Sequence, residues 1–243
     1  MRLLAIETAT RLVGCALWDD DGLIAANLLV AAQRHVEVLV PAIDEICRQA
    51  GISVADLDGV AVDIGPGLFT GLRVGLATAT TIARARNIPA VGVTSLEALA
   101  HPHRRRRGPL AAIVDARRGE VYWALFEGDG QRLVELRAPS VALPQDAAHE
   151  IADVLAVGDG AVRYREIFEA AGSEVAGPGA MWPSPMAVAE LGMERISGPA
   201  FDAGALPAPL YLRQADVRIG WDQVGGRVGS PASSSADEPK LGP

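Results

Sequence analysis

Val60-Ala-Val-Asp-Ile-Gly-Pro-Gly-Leu-Phe-Thr-Gly-Leu-Arg-Val-Gly-Leu-Ala-Thr-Ala79 is the stretch on which the reading of this chain turns. It opens as a buried strand of β-branched and small apolar residues, breaks at Gly65-Pro66-Gly67, and resumes with helical character to about Arg86. Two glycines around a proline predict a tight turn in which backbone approaches backbone closely. In the helix that follows, Gly71, Gly75, Ala79 and Ala83 recur every fourth residue, which places them on one face with almost no side-chain bulk. A glycine inside a helix costs roughly 0.5–1 kcal/mol relative to alanine. Close approach by another helix, from this chain or from a partner, is the simplest compensation.

A strand, a glycine turn and a helix N-terminus also suit phosphate, because free N–H groups and the helix dipole attract anions. The P-loop requires a Gly-Lys-Ser/Thr ending, however, and the chain has Thr70-Gly71-Leu72-Arg73. The dinucleotide pattern fits Gly65 and Gly67, but its third glycine, Gly71, falls one place late. Phosphate cradle and packing helix stand level on this stretch alone.

Working outward, 243 residues suffice for one large or two small domains with a sizeable core. The composition is 49% hydrophobic and the net charge is −8, which argues against an unaided grip on nucleic-acid phosphates. Arg73 and Arg84 interrupt the longest apolar runs, so no membrane span is expected. The N-terminus lacks the pattern of a signal peptide. Cys15 and Cys47 form no metal or disulfide pattern and read as buried thiols of a cytoplasmic protein.

The chain before this stretch reads as strands over Arg2–Ala9, Val13–Trp18 and Leu23–Val30, with Asp19-Asp20-Asp21-Gly22 as a hairpin turn. The turn Glu7-Thr8-Ala9-Thr10 is either a plain turn or a phosphate-holding one, the plain one being favoured. His35–Gln49 is the first helix, with Val36, Leu39, Val40, Ile43 and Cys47 as its buried face. Val38 and Ala42 fall off that face, available to a partner or simply on the surface. Pro41 inside the pattern suggests a start near Val38. Gly51 ends the helix.

Beyond the glycine-rich helix, Ile88–Thr94 reads as a strand and Ser95–Ala100 as a helix capped by Ser95. His101-Pro102-His103 and Arg104 to Arg107 mark a boundary; a solvated linker suits them better than a metal or nucleic-acid site. Strands follow at Leu110–Asp115, Glu120–Phe126, Gln131–Arg137 and Val154–Val157, then helices at Tyr164–Ala171 and Pro185–Ile196 and an extended Pro209–Arg213. The domains are thus 1–103 and 104–221, with a disordered tail over 222–243. No internal repeat is obvious. Among His35, His101, His103 and His149 there is no H-x-x-x-H, and no G-x-S-x-G elbow occurs. Asp63 is the best lone carboxylate and reads as a turn-stabilising acceptor rather than a base. The residues point to a binding or scaffold protein more than to an enzyme.

Leu4-Ala5-Ile6-Glu7-Thr8-Ala9-Thr10 and the run from Gly65 to Gly75 resemble the TsaB (YeaZ) family of bacterial tRNA threonylcarbamoyladenosine biosynthesis proteins. So do Gly92-Val93-Thr94-Ser95-Leu96, the run from Val114 to Tyr122, and Pro209-Leu210-Tyr211-Leu212-Arg213, in the expected order. The first strand ends in Glu7 where the family more often has aspartate. The resemblance implies an α/β, two-domain fold of the actin-like and sugar-kinase-like ATPase (ASKHA) type in degenerate form. It implies a non-catalytic scaffold with no cofactor or metal of its own, binding and stabilising the catalytic subunit TsaD, which carries the H-x-x-x-H histidines. The ATPase TsaE joins that pair, tRNA is met indirectly, and nucleotide is possible only at the TsaD junction. TsaD docks on the first two helices, so the resemblance assigns the interface to His35, Val38, Leu39, Ala42, Gly71, Arg73, Gly75 and Ala79, with a homodimer through the same surface when the chain is alone. Gly75→Leu is then expected to block pairing while leaving the monomer folded. The alternative is an active nucleotide-dependent kinase or metallopeptidase of the same fold.

Overall fold

The computed structural model describes residues 1–30 and 34–213. β1 (Leu3–Glu7) lies at the centre of a five-stranded sheet, flanked by antiparallel β2 (Leu12–Asp19) and parallel β4 (Gly59–Asp63). β3 (Gly22–Val30) and β5 (Ala90–Val93) form the edges, giving the order β3-β2-β1-β4-β5. All five residues of β1 are buried because both sheet faces are covered. Leu4 and Ile6 point to one side, among Leu39, Ile43 and Ile46 of α1 (His35–Ala50) and Leu76 and Ala79 of α2 (Phe69–Arg86). Leu3 and Ala5 point to the other, among Val188 and Ala189 of the last helix.

The second sheet repeats the first. β6 (Pro109–Arg117), β7 (Glu120–Gly128) and β8 (Leu133–Ala142) form an antiparallel meander, and the chain then returns to place β9 (Leu155–Val157) and β10 (Glu174–Val175) parallel on the other side of β6. The order β8-β7-β6-β9-β10 is the order of the first sheet over again. This duplication is the two-domain α/β architecture of the actin-like and sugar-kinase-like type. Between the sheets run α3 (Ser95–Ala100), and after β8 come α4 (Pro144–Glu150), α5 (Asp159–Arg163), α6 (Arg165–Ala170) and α7 (Pro185–Ile196). The two sheets fall on either side of the expected 103/104 boundary, but two helices cross it. Leu96, Leu99 and Ala100 of α3 pack against Leu110, Ala112 and Phe126 of the second sheet, while α7 packs on the first. Residues 1–213 form one compact unit. The expected tail, and residues 214–221 of the expected second domain, lie outside the described residues.

Local differences from the sequence reading have physical causes. α1 begins at His35 and not near Val38, so Pro41 sits inside it; Pro41 is on the exposed side, where a missing N–H is left facing water. The cap of α3 is Thr94, one residue ahead of Ser95. Its hydroxyl accepts from the Glu97 amide, and the Glu97 carboxylate accepts in return from the Thr94 amide. Ser95 instead turns inward to Asp63. α4, α5 and β10 have no counterpart in the sequence pattern.

Cys15 and Cys47 are both buried and unpaired, and burial pushes the Cys15 thiol up to about 12. A thiol reagent at pH 8 should therefore leave Cys15 unmodified in the folded chain and react within minutes once the chain is unfolded. Rapid stoichiometric labelling of native Cys15 would contradict its placement.

Candidate partner-binding face

β1 and β4 run parallel, so the turns at their C-terminal ends lie side by side. Leu68 N–H donates to Ala9 O at 2.6 Å, and a Cβ on Gly67 would stand 2.1 Å from that same oxygen. Only glycine admits this approach. From the first turn, the Thr8 hydroxyl donates to the carbonyl of Gly71 at 2.9 Å, and the carbonyl of Thr10 accepts from His35 Nε2 at 2.8 Å. The β1 turn thereby fixes the first turns of both helices. The amide of Ala9 and the hydroxyls of Thr8 and Thr10 already have protein acceptors, as a plain turn requires.

Beneath the turns, Glu7 and Asp63 occupy the next step of the β1–β4 register after Ile6 and Val62, and neither is exposed. Glu7 Oε1 accepts from the Ala9 amide at 3.1 Å and the Thr10 hydroxyl at 3.3 Å. Asp63 Oδ1 accepts from the Gly65 amide at 2.6 Å and the Ser95 hydroxyl at 2.7 Å. The remaining oxygens, Glu7 Oε2 and Asp63 Oδ2, are buried without a hydrogen-bond partner among the described residues, at adjacent positions of the two strands. Burial first, then the neighbouring Asp63, pushes the Glu7 carboxyl well above the usual range; burial raises Asp63 as well. In the sequence Asp63 stands as a lone carboxylate. The pairing becomes visible only once the two strands are known to be in register.

The structure corrects the surface assigned to the glycine stripe. Gly71, Gly75, Ala79 and Ala83 are buried against this chain's own strands. A Cβ on Gly71 would lie 2.0 Å from Thr8 O, and one on Gly75 would lie 2.3 Å from the Thr8 hydroxyl and 3.4 Å from Val62. The helix approaches a strand end, not a partner helix. Gly75→Leu would therefore disturb folding itself, against the earlier expectation. His35, Leu39 and Ala42 are also interior, Val38 is half-buried, and of the eight assigned residues Arg73 alone is exposed.

The buried side of α1 is likewise rotated from expectation. Val36 is 68% exposed and Val40 59%, whereas Ala42 is covered. In its first two turns α1 buries His35, Leu39 and Ala42 and leaves Val36 and Val40, on the neighbouring side, uncovered. Beside them, at the start of α2, Phe69 is 46% exposed. The Arg73 guanidinium lies 3.8 Å over the Phe69 ring, and Tyr211 stands against it at 5.6 Å between centroids. A Cβ on Gly71 would lie 3.2 Å from the His35 ring, so the two helix starts are neighbours. The exposed Val36, Val40, Phe69 and Tyr211 at these helix starts give an apolar and aromatic surface, with Arg73 stacked on Phe69.

In the second sheet, Asp115, two residues before the end of β6, is held between Arg117 at 3.1 Å and Arg163 at 3.3 Å. Gly158-Asp159-Gly160 takes the place of the Gly65 turn, with Asp159 accepting from the Asp115 amide at 2.9 Å. Among the described residues no three His, Cys, Asp or Glu side chains gather as a metal site, and no helix is long and apolar enough to cross a membrane.

Comparison with known proteins adds the following. A family model described as "TsaD: tRNA N6-adenosine threonylcarbamoyltransferase" matches residues 29–175. The tRNA threonylcarbamoyladenosine biosynthesis protein TsaB of Bacillus subtilis is 31% identical over 228 residues, covering 91% of this chain and 98% of the relative. The TsaB of Escherichia coli is 34% identical over 152 residues, covering 62% of this chain and 65% of the relative. YeaZ from Pseudomonas aeruginosa, a solved structure, superposes with a TM-score of 0.73 at 26% identity, over 87% of this chain and 99% of that one.

Proposed function

Because this chain belongs to the TsaB (YeaZ) family of tRNA threonylcarbamoyladenosine biosynthesis proteins, we propose that it is a non-catalytic scaffold that binds and stabilises a TsaD-type threonylcarbamoyltransferase. The observation that carries the proposal is the uncovered face at the starts of α1 and α2, with Val36, Val40 and Phe69 exposed. A continuation of the core stripe that its own sheet does not cover is a surface that gains by finding a partner. The docking surface is therefore the outer side of these helices, with Arg73 and Val38 at its margin. The buried Gly71, Gly75, Ala79, His35, Leu39 and Ala42 shape it from beneath. In this reading a TsaE-type ATPase joins the pair in the cytoplasm, tRNA is met through the partner, and two copies of the chain meet through the same face when no partner is present.

The test is capture of a TsaD-type protein by the chain and by the double variant Val36→Glu, Val40→Glu. Two charges at a desolvated apolar contact should weaken capture by roughly 30-fold or more. Stability should change by less than about 0.5 kcal/mol, since both positions are on the surface. Undiminished capture by the double variant would overturn the docking face. The competing kinase or peptidase reading is met by measuring ATP turnover and metal-dependent proteolysis on the isolated chain, where robust activity of either kind would displace the scaffold role.

A further inference from the structure

We infer that Glu7 and Asp63 hold a single proton between Oε2 and Oδ2, and that this proton acts as a clasp that sets the geometry of the partner-binding face. The argument begins with burial. Two adjacent carboxyls that are both fully buried cannot both be ionised without a cation between them, and neither has one among its hydrogen-bond or ion-pair partners in the described residues. The groups that face the pair are the Thr10 hydroxyl and Ala9 amide from the β1 turn, the Gly65 amide from the β4 turn, and the Ser95 hydroxyl from α3. Glu97 of α3 adds a further negative charge near Asp63, itself tied to Arg195. All four donors go to Oε1 and Oδ1, and each second oxygen is buried without a partner among the described residues. One proton satisfies both, making one carboxyl the donor and the other the acceptor.

The second sheet shows the alternative solution. Near the end of its first strand, the buried Asp115 carboxylate is matched by Arg117 and Arg163. Where the second half of the chain uses guanidiniums, the first half uses a proton, and a proton can leave.

Its position gives the departure a consequence. Glu7 holds Ala9 and Thr10, and the Thr10 carbonyl holds His35 of α1. Asp63 holds Gly65, whose turn leads into α2. When pH rises and the pair releases its proton to solvent, two carboxylates confront each other at adjacent strand ends. The strand ends separate, and the helix starts that they carry move with them. This regulation rests on the docking reading above only for its effect on the partner; the proton itself does not.

The experiment is a pH titration of the full chain by 13C NMR of the carboxyl carbons, alongside the His35 and Gly71 amides. The expected result is that the Glu7 and Asp63 signals move together in two steps, one of them well above the usual carboxylate range. The two amides should shift at that upper step. In Glu7→Gln the side-chain amide supplies the bridging hydrogen permanently, and the upper step should vanish from Asp63 and from both amides. If that variant does not fold, Asp63→Asn supplies the same donor from the other side. Independent titration of both carboxyls near their ordinary values, or an upper step that leaves the helix amides unmoved, would overturn the clasp. Capture of a TsaD-type partner by the wild-type chain should weaken about tenfold across the upper step and stay level in Glu7→Gln. Capture that is level in both overturns the regulation, whereas absence of capture at every pH defeats the docking proposal and leaves the NMR result standing.

Discussion

Gly71→Ala is expected to destabilise the chain by roughly 2–4 kcal/mol, a large effect for a single methyl group. Alanine ordinarily favours a helix over glycine by about 1 kcal/mol, so propensity alone predicts the opposite sign. The added Cβ, however, would lie 2.0 Å from the backbone oxygen of Thr8, with the His35 ring at 3.2 Å on its other side. A backbone carbonyl at a strand end has no rotamer by which to yield. Thr8 also donates its hydroxyl to the Gly71 carbonyl, so displacing the helix breaks that bond as well. Equilibrium urea unfolding checks the prediction, with Ala77→Glu on the exposed side of the same helix as a control expected within about 0.5 kcal/mol. An unchanged midpoint for Gly71→Ala would show that the stripe does not face this sheet.

The second large effect is on the pH dependence of stability. Burial and the adjacent Asp63 raise the folded pKa of Glu7 above its unfolded value. Its contribution is then fully present below the unfolded pKa and is lost as pH rises through the raised one. Between those two values the folded chain holds a proton that the unfolded chain has released, so stability falls by about 1.4 kcal/mol per pH unit from this pair. Glu7→Gln removes the titrating carboxyl and keeps a donor toward Asp63. The variant should therefore gain on the wild type by about that amount per unit from roughly pH 5 upward. The difference of the two stability curves is the measurement, because other titrating groups cancel in it. Parallel curves would mean that the pair carries no shared proton.

Much of the architecture was legible because it is written in local periods and turn chemistry. The strand pattern of Val60–Asp63, the break at Gly65-Pro66-Gly67 and the helix to Arg86 all appear where their residues place them. The acidic hairpin before Gly22 and the αL glycine Gly51 after α1 do so too. Legibility failed where a face had to be assigned to one of two neighbours. The spacing of Gly71, Gly75 and Ala79 says that something comes close, and no spacing says whether it is a strand of the same chain or a helix of another. The α1 stripe failed for a related reason. Val36 and Val40 are as apolar as Leu39 and Ile43, but the packing of α1 covers only the latter two.

By itself, then, the order of residues determined most of the longer elements, the close-approach glycines and the family, since each depends on neighbours in sequence or on a run of matched motifs. The tertiary structure alone decided which way the glycine stripe points, which side of α1 is left bare, and that Glu7 and Asp63 meet. Those outcomes depend on the register of two strands separated by more than fifty residues, and the energy of burial is settled only where distant segments close over one another.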